Sequence, residues 1–306
     1  DGQTHRGASV IASSVQPGGV GNSGNLEINT DTLNITNGAQ IQAATFGRGN
    51  AGNVKIAASN TINLDGQTHR GASGIAGSVQ PGAVGNGGNL EINTGSLNVT
   101  NGAGIDASTF GQGNAGNVRI YTRNSITLDG DSGINSSVTD TGVGNGGEIE
   151  VSTGMLNIKN GSGIQVTTFG QGNGGNIAVT ARDRITLDGD SGISSSVQKS
   201  GVGNGGNIEV STGTLDVMNG AEINAATFGQ GNGGNIAVTT RDRITLDGDS
   251  GISSSVQQSG VGNGGNIEVS TGTLDVTNGA AISAGTSGQG DGGNITIAAR
   301  DRITLD

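Results

Sequence analysis

One dipeptide, Leu-Asp, returns in phase along the whole chain of 306 residues. Counted from Asp to Asp, beginning at Asp1, the spacings are 64, 64, 59, 59 and 59 residues. A repeat of this length indicates a solenoid, a propeller or a related array, in which each unit buries its apolar face against its neighbours. Residues 1–306 therefore form one stretch, which ends at Asp306 and divides into five units: 1–64, 65–128, 129–187, 188–246 and 247–305.

Each unit contains two similar halves, and each half carries three short apolar segments. In the fourth unit, the first half has these segments at 192–197, 206–210 and 215–217. The last apolar residue of each half recurs every 29 or 30 residues, apart from one interval of 35. Stacked rungs, each a full circuit of the chain, need such constant spacing. The sequence predicts an all-β, right-handed parallel β-helix (β-solenoid) of about ten three-strand rungs, two per repeat, because parallel crossovers are almost always right-handed.

The alternation of side chains within the segments predicts which ones face inward. Ile252, Ser254 and Val256 should point into the solenoid, because side chains alternate between the two faces of a strand. Glu268 and Asp275, which lie between apolar residues of the following segments, should face solvent. The core is therefore expected to be thin, and each rung should bury it by stacking on the next.

The most frequent local sequence is Gly-Asn-Gly-Gly-Asn, which returns in phase with the rungs. With the preceding Gly it satisfies the dinucleotide fingerprint G-x-G-x-x-G, but a strand such as 208–210 follows it where that fingerprint needs a helix. Gly supplies the positive φ of a tight corner, and stacked Asn side chains can satisfy backbone groups there. We predict a structural ladder, interrupted at Glu148 and formed by Asn25, Asn53, Asn89, Asn117, Asn176, Asn207, Asn235, Asn266 and Asn294.

The acidic turns Asp-Gly-Asp-Ser-Gly begin like the calcium-binding loop of an EF-hand. They lack its third acidic position, the Gly at its sixth position and its closing Glu. The sequence therefore favours solvated turn carboxylates, without a bound metal or cofactor. Calcium is the alternative for Asp129, Asp131, Asp188, Asp190, Asp247 and Asp249.

One Phe per unit occupies the same phase in the first four units. Equivalent positions lie two rungs apart, about 9.6 Å, so the rings cannot stack on one another. They are expected to pack against the turns, and the alternative is a sugar-stacking stripe along the rod. The four residues are Phe46, Phe110, Phe169 and Phe228.

Two other charged motifs have simple structural interpretations. His5 and His69 lie in turns that are five residues longer than those of later units, and they are too far apart to share a metal ion. These longer turns should lie on the outside of the rod, because the flanking segments stay in register. Triplets of the form Arg-Asp-Arg, such as 182–184, should neutralise their own charges.

The composition narrows the possible partners. With 14 basic and 25 acidic residues, the net charge of −11 argues against nucleic acid and against an anionic membrane. The chain has no Cys, which excludes thiol catalysis and disulfides, and no apolar run of about 18 residues that would insert in a membrane as a helix. Every candidate carboxylate is copied from unit to unit, whereas catalysis needs a unique cluster, so no enzyme activity is expected.

The style of the repeat resembles that of filamentous-haemagglutinin-like exoproteins, particularly the large ones of cyanobacteria. The resemblance covers the whole chain and rests on Gly-Gln-Gly-Asn-Gly-Gly-Asn-Ile, as at 229–236, and on Leu-x-Val/Ile-x-Asn-Gly, as at 215–220. It implies right-handed β-helical rods that are exported by two-partner secretion and act as surface adhesins or fibrils. The export route is implied by the resemblance alone.

We therefore expect a structural, extracellular or cell-surface protein: a β-solenoid segment of a surface fibre or adhesin. The units begin and end in mid-motif, so we expect flanking repeats of the same chain, or self-association into a fibre, with surface polysaccharide as a further partner. A polysaccharide-binding or polysaccharide-degrading β-helix is the alternative. An enzyme of this class should break its repeat at a cleft, and these units do not. An ice-binding solenoid is the third, and it would need a regular Thr-x-Thr on one face.

Overall fold

The computed structural model describes residues 9–66 and 72–306, and within them the chain is a parallel β-helix. Short strands of three residues alternate along the chain with long strands of 11 or 12 residues. Short strands pair only with short ones and long strands only with long ones, in two ten-stranded parallel sheets. The predicted β-helix of ten rungs is therefore confirmed. No helix in the described ranges is long and apolar enough to cross a membrane.

The strands are numbered in chain order, so that odd numbers are short strands and even numbers are long ones. The short strands are β1 (Val10–Ala12), β3 (Gln40–Gln42), β5 (Gly74–Ala76), β7 (Gly104–Asp106), β9 (Gly133–Asn135), β11 (Gly163–Gln165), β13 (Gly192–Ser194), β15 (Glu222–Asn224), β17 (Gly251–Ser253) and β19 (Ala281–Ser283). The long strands are β2 (Leu26–Thr36), β4 (Val54–Asp65), β6 (Leu90–Thr100), β8 (Val118–Asp129), β10 (Ile149–Lys159), β12 (Ile177–Asp188), β14 (Ile208–Met218), β16 (Ile236–Asp247), β18 (Ile267–Thr277) and β20 (Ile295–Leu305).

The structure corrects the expected number of strands in a rung. The second and third predicted segments are the two ends of one long strand, as in β14. The register between β14 and β16 shifts once, between Thr212 and Thr214, and this irregularity resets the alternation of inward side chains. The Thr212 hydroxyl faces inward and donates to the Thr214 carbonyl at 3.4 Å, across the irregularity. Two lines of single β-bridges, such as Val197 to Thr227, continue the pairing between short and long strands.

The core is a column of aliphatic side chains, each stacked on its counterpart in the next rung. Ile208 pairs with Ile236 and Val210 with Val238, and all four are buried. The single Ile of each short strand, such as Ile252, closes the column from the opposite side. A single rung has too few apolar side chains to form a core, so these side chains are buried mainly by contact with the rungs on either side.

An arginine that crosses a glycine follows the two-rung period of the repeat from the second unit onward, beginning with Arg123 and Gly95. Arg182 Nη2 donates to the carbonyl of Arg123, two rungs away, at 2.7 Å. Arg300 bonds the carbonyl of Arg241 in the same way, at 2.6 Å. The rung between Arg123 and Arg182 carries Gly154 at this place, and a Cβ there would lie 2.7 Å from Arg182 Nη2. A larger residue would obstruct the guanidinium, so glycine rungs and arginine rungs alternate.

A buried serine alternates with the same two-rung period. Ser195 Oγ donates to the Gly175 carbonyl of the preceding rung at 2.7 Å and accepts from the Gly206 N–H at 3.0 Å. In the next rung its counterpart is Ala225, whose backbone carbonyl accepts directly from the Gly234 N–H at 2.9 Å. The serine rungs thus add a side-chain bond to the glycine corner from inside; at Ser136 and Ser254 the backbone carbonyl accepts from the same N–H as well, as the Ala225 carbonyl does in its rung.

We predict that Ile236→Asp lowers the free energy of unfolding by more than about 3 kcal/mol, because it places an unpaired charge in the column. Ile236 is 1% exposed, whereas Glu209 is exposed on the outer face of β14. Glu209→Gln is therefore the control and should change stability by less than about 0.5 kcal/mol. Thermal unfolding followed by circular dichroism measures both, and equal shifts would show that the inward and outward faces are assigned wrongly.

Candidate functional site

The asparagines of the predicted ladder lie at the corner where the chain enters the long strands. The side-chain Oδ1 of each Asn accepts a hydrogen bond from the backbone N–H of the corresponding residue in the next rung, so the carboxamide ties successive corners in register. Asn207 Oδ1 accepts from the Asn235 N–H at 2.9 Å. The same bond joins Asn25 to Asn53, Asn53 to Asn89, Asn89 to Asn117, Asn117 to Glu148, Asn176 to Asn207, Asn235 to Asn266 and Asn266 to Asn294.

The ladder is interrupted where Glu148 replaces asparagine. Glu148 donates its N–H to Asn117 Oδ1 at 2.8 Å, but within the described residues its side chain accepts no bond from the Asn176 N–H. The ladder side chains are exposed, or partly exposed at Asn117. Water competes for exposed hydrogen bonds, so each of these is expected to contribute about 0.5–1.5 kcal/mol.

A second, uninterrupted ladder of the same kind runs beside the first, and the sequence analysis missed it. It uses the first Asn of each Gly-Asn-Gly-Gly-Asn motif, which also returns in every rung and could have revealed it. Asn204 Oδ1, for example, accepts from the Asn232 N–H at 2.9 Å. The ladder runs through Asn22, Asn50, Asn86, Asn114, Asn145, Asn173, Asn204, Asn232, Asn263 and Asp291.

The corner between the two ladders requires glycine because successive rungs approach closely there. Gly231 has a φ of 136°, which side-chain-bearing residues rarely adopt. A Cβ on Gly231 would overlap the carbonyl of Gly203 in the preceding rung. The glycines of the motif therefore have a steric role, and the strand that follows them leaves no helix N-terminus to hold a phosphate.

We predict that Asn235→Ala destabilises the chain by about 1 kcal/mol, because the Asn266 N–H loses its protein acceptor. The converse change, Glu148→Asn, supplies the missing acceptor for Asn176 and should stabilise by roughly 0.5–1 kcal/mol. Chemical denaturation of the two variants beside the parent chain measures both effects. If neither variant changes the unfolding transition, the ladder bonds contribute nothing measurable to stability.

The acidic turns form a third column of side-chain bonds at the opposite end of the long strands. Asp129 Oδ1 accepts from Asn160 Nδ2 at 2.7 Å, and this bond, with the help of Lys159 at 3.1 Å, holds the pKa of Asp129 below its ordinary value. Asp188 accepts in the same way from Asn219, at 2.7 Å. Asp247 accepts from Thr277 and Asn278, each at 2.6 Å, and the two bonds lower its pKa.

The described part of the chain has no cluster of side chains that could bind calcium, the alternative considered for the acidic turns. No group of three or more Asp, Glu, His or Cys side chains comes together there in a way that could hold a metal ion. Asp131, Asp190 and Asp249 each hold a left-handed backbone conformation, which Asp tolerates better than most residues. The placement thus gives these three a conformational role in the turn. His5 and His69 lie outside the described residues.

The Arg-Asp-Arg triplets pair mostly between rungs and less within themselves, contrary to expectation. Asp216 lies between Arg184, at 3.6 Å, and Arg243, at 3.2 Å, which belong to the rungs on either side. Its side chain is only 10% exposed, and that of Asp275, the equivalent residue of the last unit, which was expected to face solvent, is only 22% exposed. In the last unit Asp275 bonds Arg302 at 3.0 Å, whereas the pair of Arg241 with Asp242 is the expected internal kind.

A trough runs along the outer face of the short strands, where the repeat loses its symmetry. Its floor is a column of glycines paired in register: Gly74, Gly104, Gly133, Gly163 and Gly192. Gln40 precedes this column and Glu222 follows it, each in the same register position. The trough is therefore open over five rungs and closed by a long side chain at both ends. A cavity of about 520 Å³ occupies it from Gln40 to Gln165.

Planar polar side chains and two aromatic rings line this trough. Gln42, Asp106, Asn135 and Gln165 occupy the last position of their short strands and line the trough together with Ala76. The following rungs have Ser194, Asn224, Ser253 and Ser283 at this position. The two aromatic residues among the described residues that line the cavity are Phe46 and Phe110. All four repeated phenylalanines lie on the outer surface and are partly exposed, up to 36% at Phe169.

Asp106 is the one carboxylate in its column of short-strand residues, where the other described rungs have Gln, Ala, Asn or Ser. Burial raises the pKa of Asp106 above its ordinary value, and the bonds from Ser108 oppose this rise. Asp106 Oδ1 accepts from the Ser108 N–H at 2.9 Å. In the equivalent place Asn224 Oδ1 accepts from the Ala226 N–H, also at 2.9 Å, so asparagine supports the same turn.

We predict that the contribution of Asp106 to the free energy of unfolding falls as the pH rises above about 4, because its pKa is raised in the folded chain. The folded chain holds this proton more tightly than the unfolded chain, so deprotonation favours unfolding. Asp106→Asn should remove this component and stabilise the chain at pH 7. Asp129→Asn is the control with the opposite sign, because a lowered pKa stabilises the fold at neutral pH and that contribution is lost on acidification. Melting curves between pH 3 and pH 8 test both.

Among the described residues that line the trough, Asp106 and Asp131 are the two titratable side chains. The lining offers hydroxyl, carboxamide and carboxyl groups, which can form hydrogen bonds, beside aromatic rings, which can form apolar contacts. No protein-family model, characterised protein or solved structure matches this chain. Its function must therefore be argued from its own residues.

Proposed function

We propose that the chain is a structural segment of an extracellular surface fibre or adhesin, which spaces and presents binding surfaces away from a cell. The observation that carries this proposal is the unbroken pairing of ten rungs in two parallel sheets. At about 4.8 Å per rung, the described rungs make a rod of about 48 Å. Such a rod gains length by adding identical rungs, which suits a spacer.

The bonds between rungs support a role in which the rod must keep its shape. Hydrogen bonds between rungs are made by the two asparagine ladders, by the Asp–Asn column and by the crossing arginines. A rod held in this way resists bending at any one place. The same interactions would join flanking repeats of the chain, or further copies in a fibre, which are the partners we propose.

The proposed location and export route depend on the sequence. The repeats resemble those of filamentous-haemagglutinin-like exoproteins, and the resemblance supports secretion by the two-partner route. The absence of Cys and a net charge of −11 suit an exported, soluble rod and disfavour nucleic acid as a partner. We propose no enzymatic role and no cofactor, because the charged columns repeat from rung to rung and the unrepeated carboxylate, Asp106, shares the described trough lining with a single other titratable side chain, Asp131.

One observation favours the second candidate, a polysaccharide-binding β-helix. On the short-strand face, glycines stand in register between Gln40 and Glu222 and leave a trough that offers a site for an extended ligand. The trough lies on one face of the rod and leaves the inter-rung pairing intact, so it is compatible with the fibre. The two roles together describe an adhesive rod.

Immunoelectron microscopy on intact source cells tests the proposed location and form. Antibodies against the purified chain should label rods or fibres that extend from the cell surface. Antibody adsorbed beforehand with purified chain is the control and should give no label. Labelling that appears only after the cells are permeabilised would contradict the proposal.

A further inference from the structure

The trough lies on the short-strand face between Gln40 and Glu222, which carry long side chains where the five rungs between them carry glycine. Over it, the floor has no side chains for five consecutive rungs. The cavity spans the rungs from Gln40 to Gln165, a length of roughly 19 Å at 4.8 Å per rung. Its volume of about 520 Å³ falls in the range of small-ligand sites, but its form is long and open. A slender, extended ligand fits this form better than a compact one.

Two carboxamide side chains of the trough, those of Asn135 and Gln165, can form hydrogen bonds with a ligand above the glycine floor. A Cβ on Gly133 would lie 2.8 Å from Asn135 Nδ2, and a Cβ on Gly163 would lie 3.1 Å from Gln165 Nε2. The two carboxamides therefore extend over the glycine column. Each carboxamide has both donors and an acceptor, which suits a ligand whose hydroxyl groups also do both.

The aromatic residues add an apolar contact at a fixed interval. Phe46 and Phe110 both line the trough and lie two rungs apart, about 9.6 Å. Phenylalanine has no polar group, so an exposed ring can contribute only apolar contact. A chain of sugar rings presents apolar C–H faces and hydroxyl edges alternately, and this combination matches the rings and carboxamides of the trough.

The trough is unsuited to a peptide that would add as a strand. Every short strand under it, such as β7, pairs with a neighbour on both sides, so no strand edge is free there. The charged residues of the trough also disfavour an acidic ligand. None of the described lining residues is Lys, Arg or His, and Asp106 and Asp131 would repel an acidic polymer.

We propose that this trough binds an extended, neutral polysaccharide, with Phe46 and Phe110 against its sugar rings and Gln42, Asn135 and Gln165 on its hydroxyl groups. The proposal rests on the surface role above, which would bring the trough into contact with extracellular polysaccharide. It names the site and the class of partner for that role.

Two pairs of variants in the whole chain test the proposal against internal controls. Gly104→Gln places on the floor the residue that Gln40 carries naturally, and a Cβ there meets nothing closer than 3.8 Å. Gly251→Gln makes the same change in a rung beyond Glu222 and is the control. Phe46→Ala with Phe110→Ala removes both rings of the trough. Phe169→Ala with Phe228→Ala removes the equivalent rings outside the cavity lining.

The probes are soluble oligosaccharides of neutral glucan, mannan and xylan, with oligogalacturonate as the acidic comparison, measured by titration calorimetry. We expect at least one neutral probe to bind, and the trough variants to weaken it about tenfold or more. The control variants should stay within about twofold, and melting temperatures should confirm that all variants are folded. Equal losses in trough and control variants, no binding of any neutral probe, or preferential binding of oligogalacturonate would each overturn the proposal. Because microscopy tests the fibre separately, rods on cells without sugar binding would leave the proposed function standing.

Discussion

The parallel pairing of each strand with its counterpart in the next rung is the constraint on which the rest of this structure depends. A rung brings to the interior a single Ile from its short strand and four aliphatic side chains from its long strand, as in β15 and β16. That is too little to form a core, so stability comes from contact between rungs. In-register pairing places Ile on Ile or Val on Val at three of these positions and unlike aliphatic residues, such as Leu215 and Ile244, at the other two, so the same five positions suffice throughout the rod.

The same pairing decides which polar residues can occupy a column on the surface. A repeated side chain lies about 4.8 Å from its own copy, so it must either bond to that copy or alternate with a partner. Asparagine satisfies the first condition, because its carbonyl accepts from the next backbone N–H. A column of like charges would repel itself, and the structure instead places Asp216 between Arg184 and Arg243. Charged residues form only 13% of the chain, which is low for a soluble domain and follows from this restriction.

The function that we propose uses both the regularity of the rod and one departure from it, the trough on the short-strand face. Regular rungs make a spacer whose length is set by their number. The departure lies on the short-strand face, where loss of side chains at the glycine column costs little because the inward Ile, such as Ile134, still fills the core. A binding surface can therefore vary on this face without disturbing the pairing that holds the rod together.

The sequence by itself determined the fold class, the number of rungs and the inward aliphatic residues, because a period of 29 or 30 residues and the alternation at Ile252, Ser254 and Val256 are local and repeated many times. It also indicated the asparagine corner, although it missed the parallel ladder through Asn204. The tertiary structure alone decided the joining of two segments into β14, the partners of Asp216 and the path of Arg182, since these depend on which residues face each other one or two rungs apart. The trough was hidden in the sequence for the same reason: five glycines about 30 residues apart look like ordinary turn residues until stacking brings them into one column.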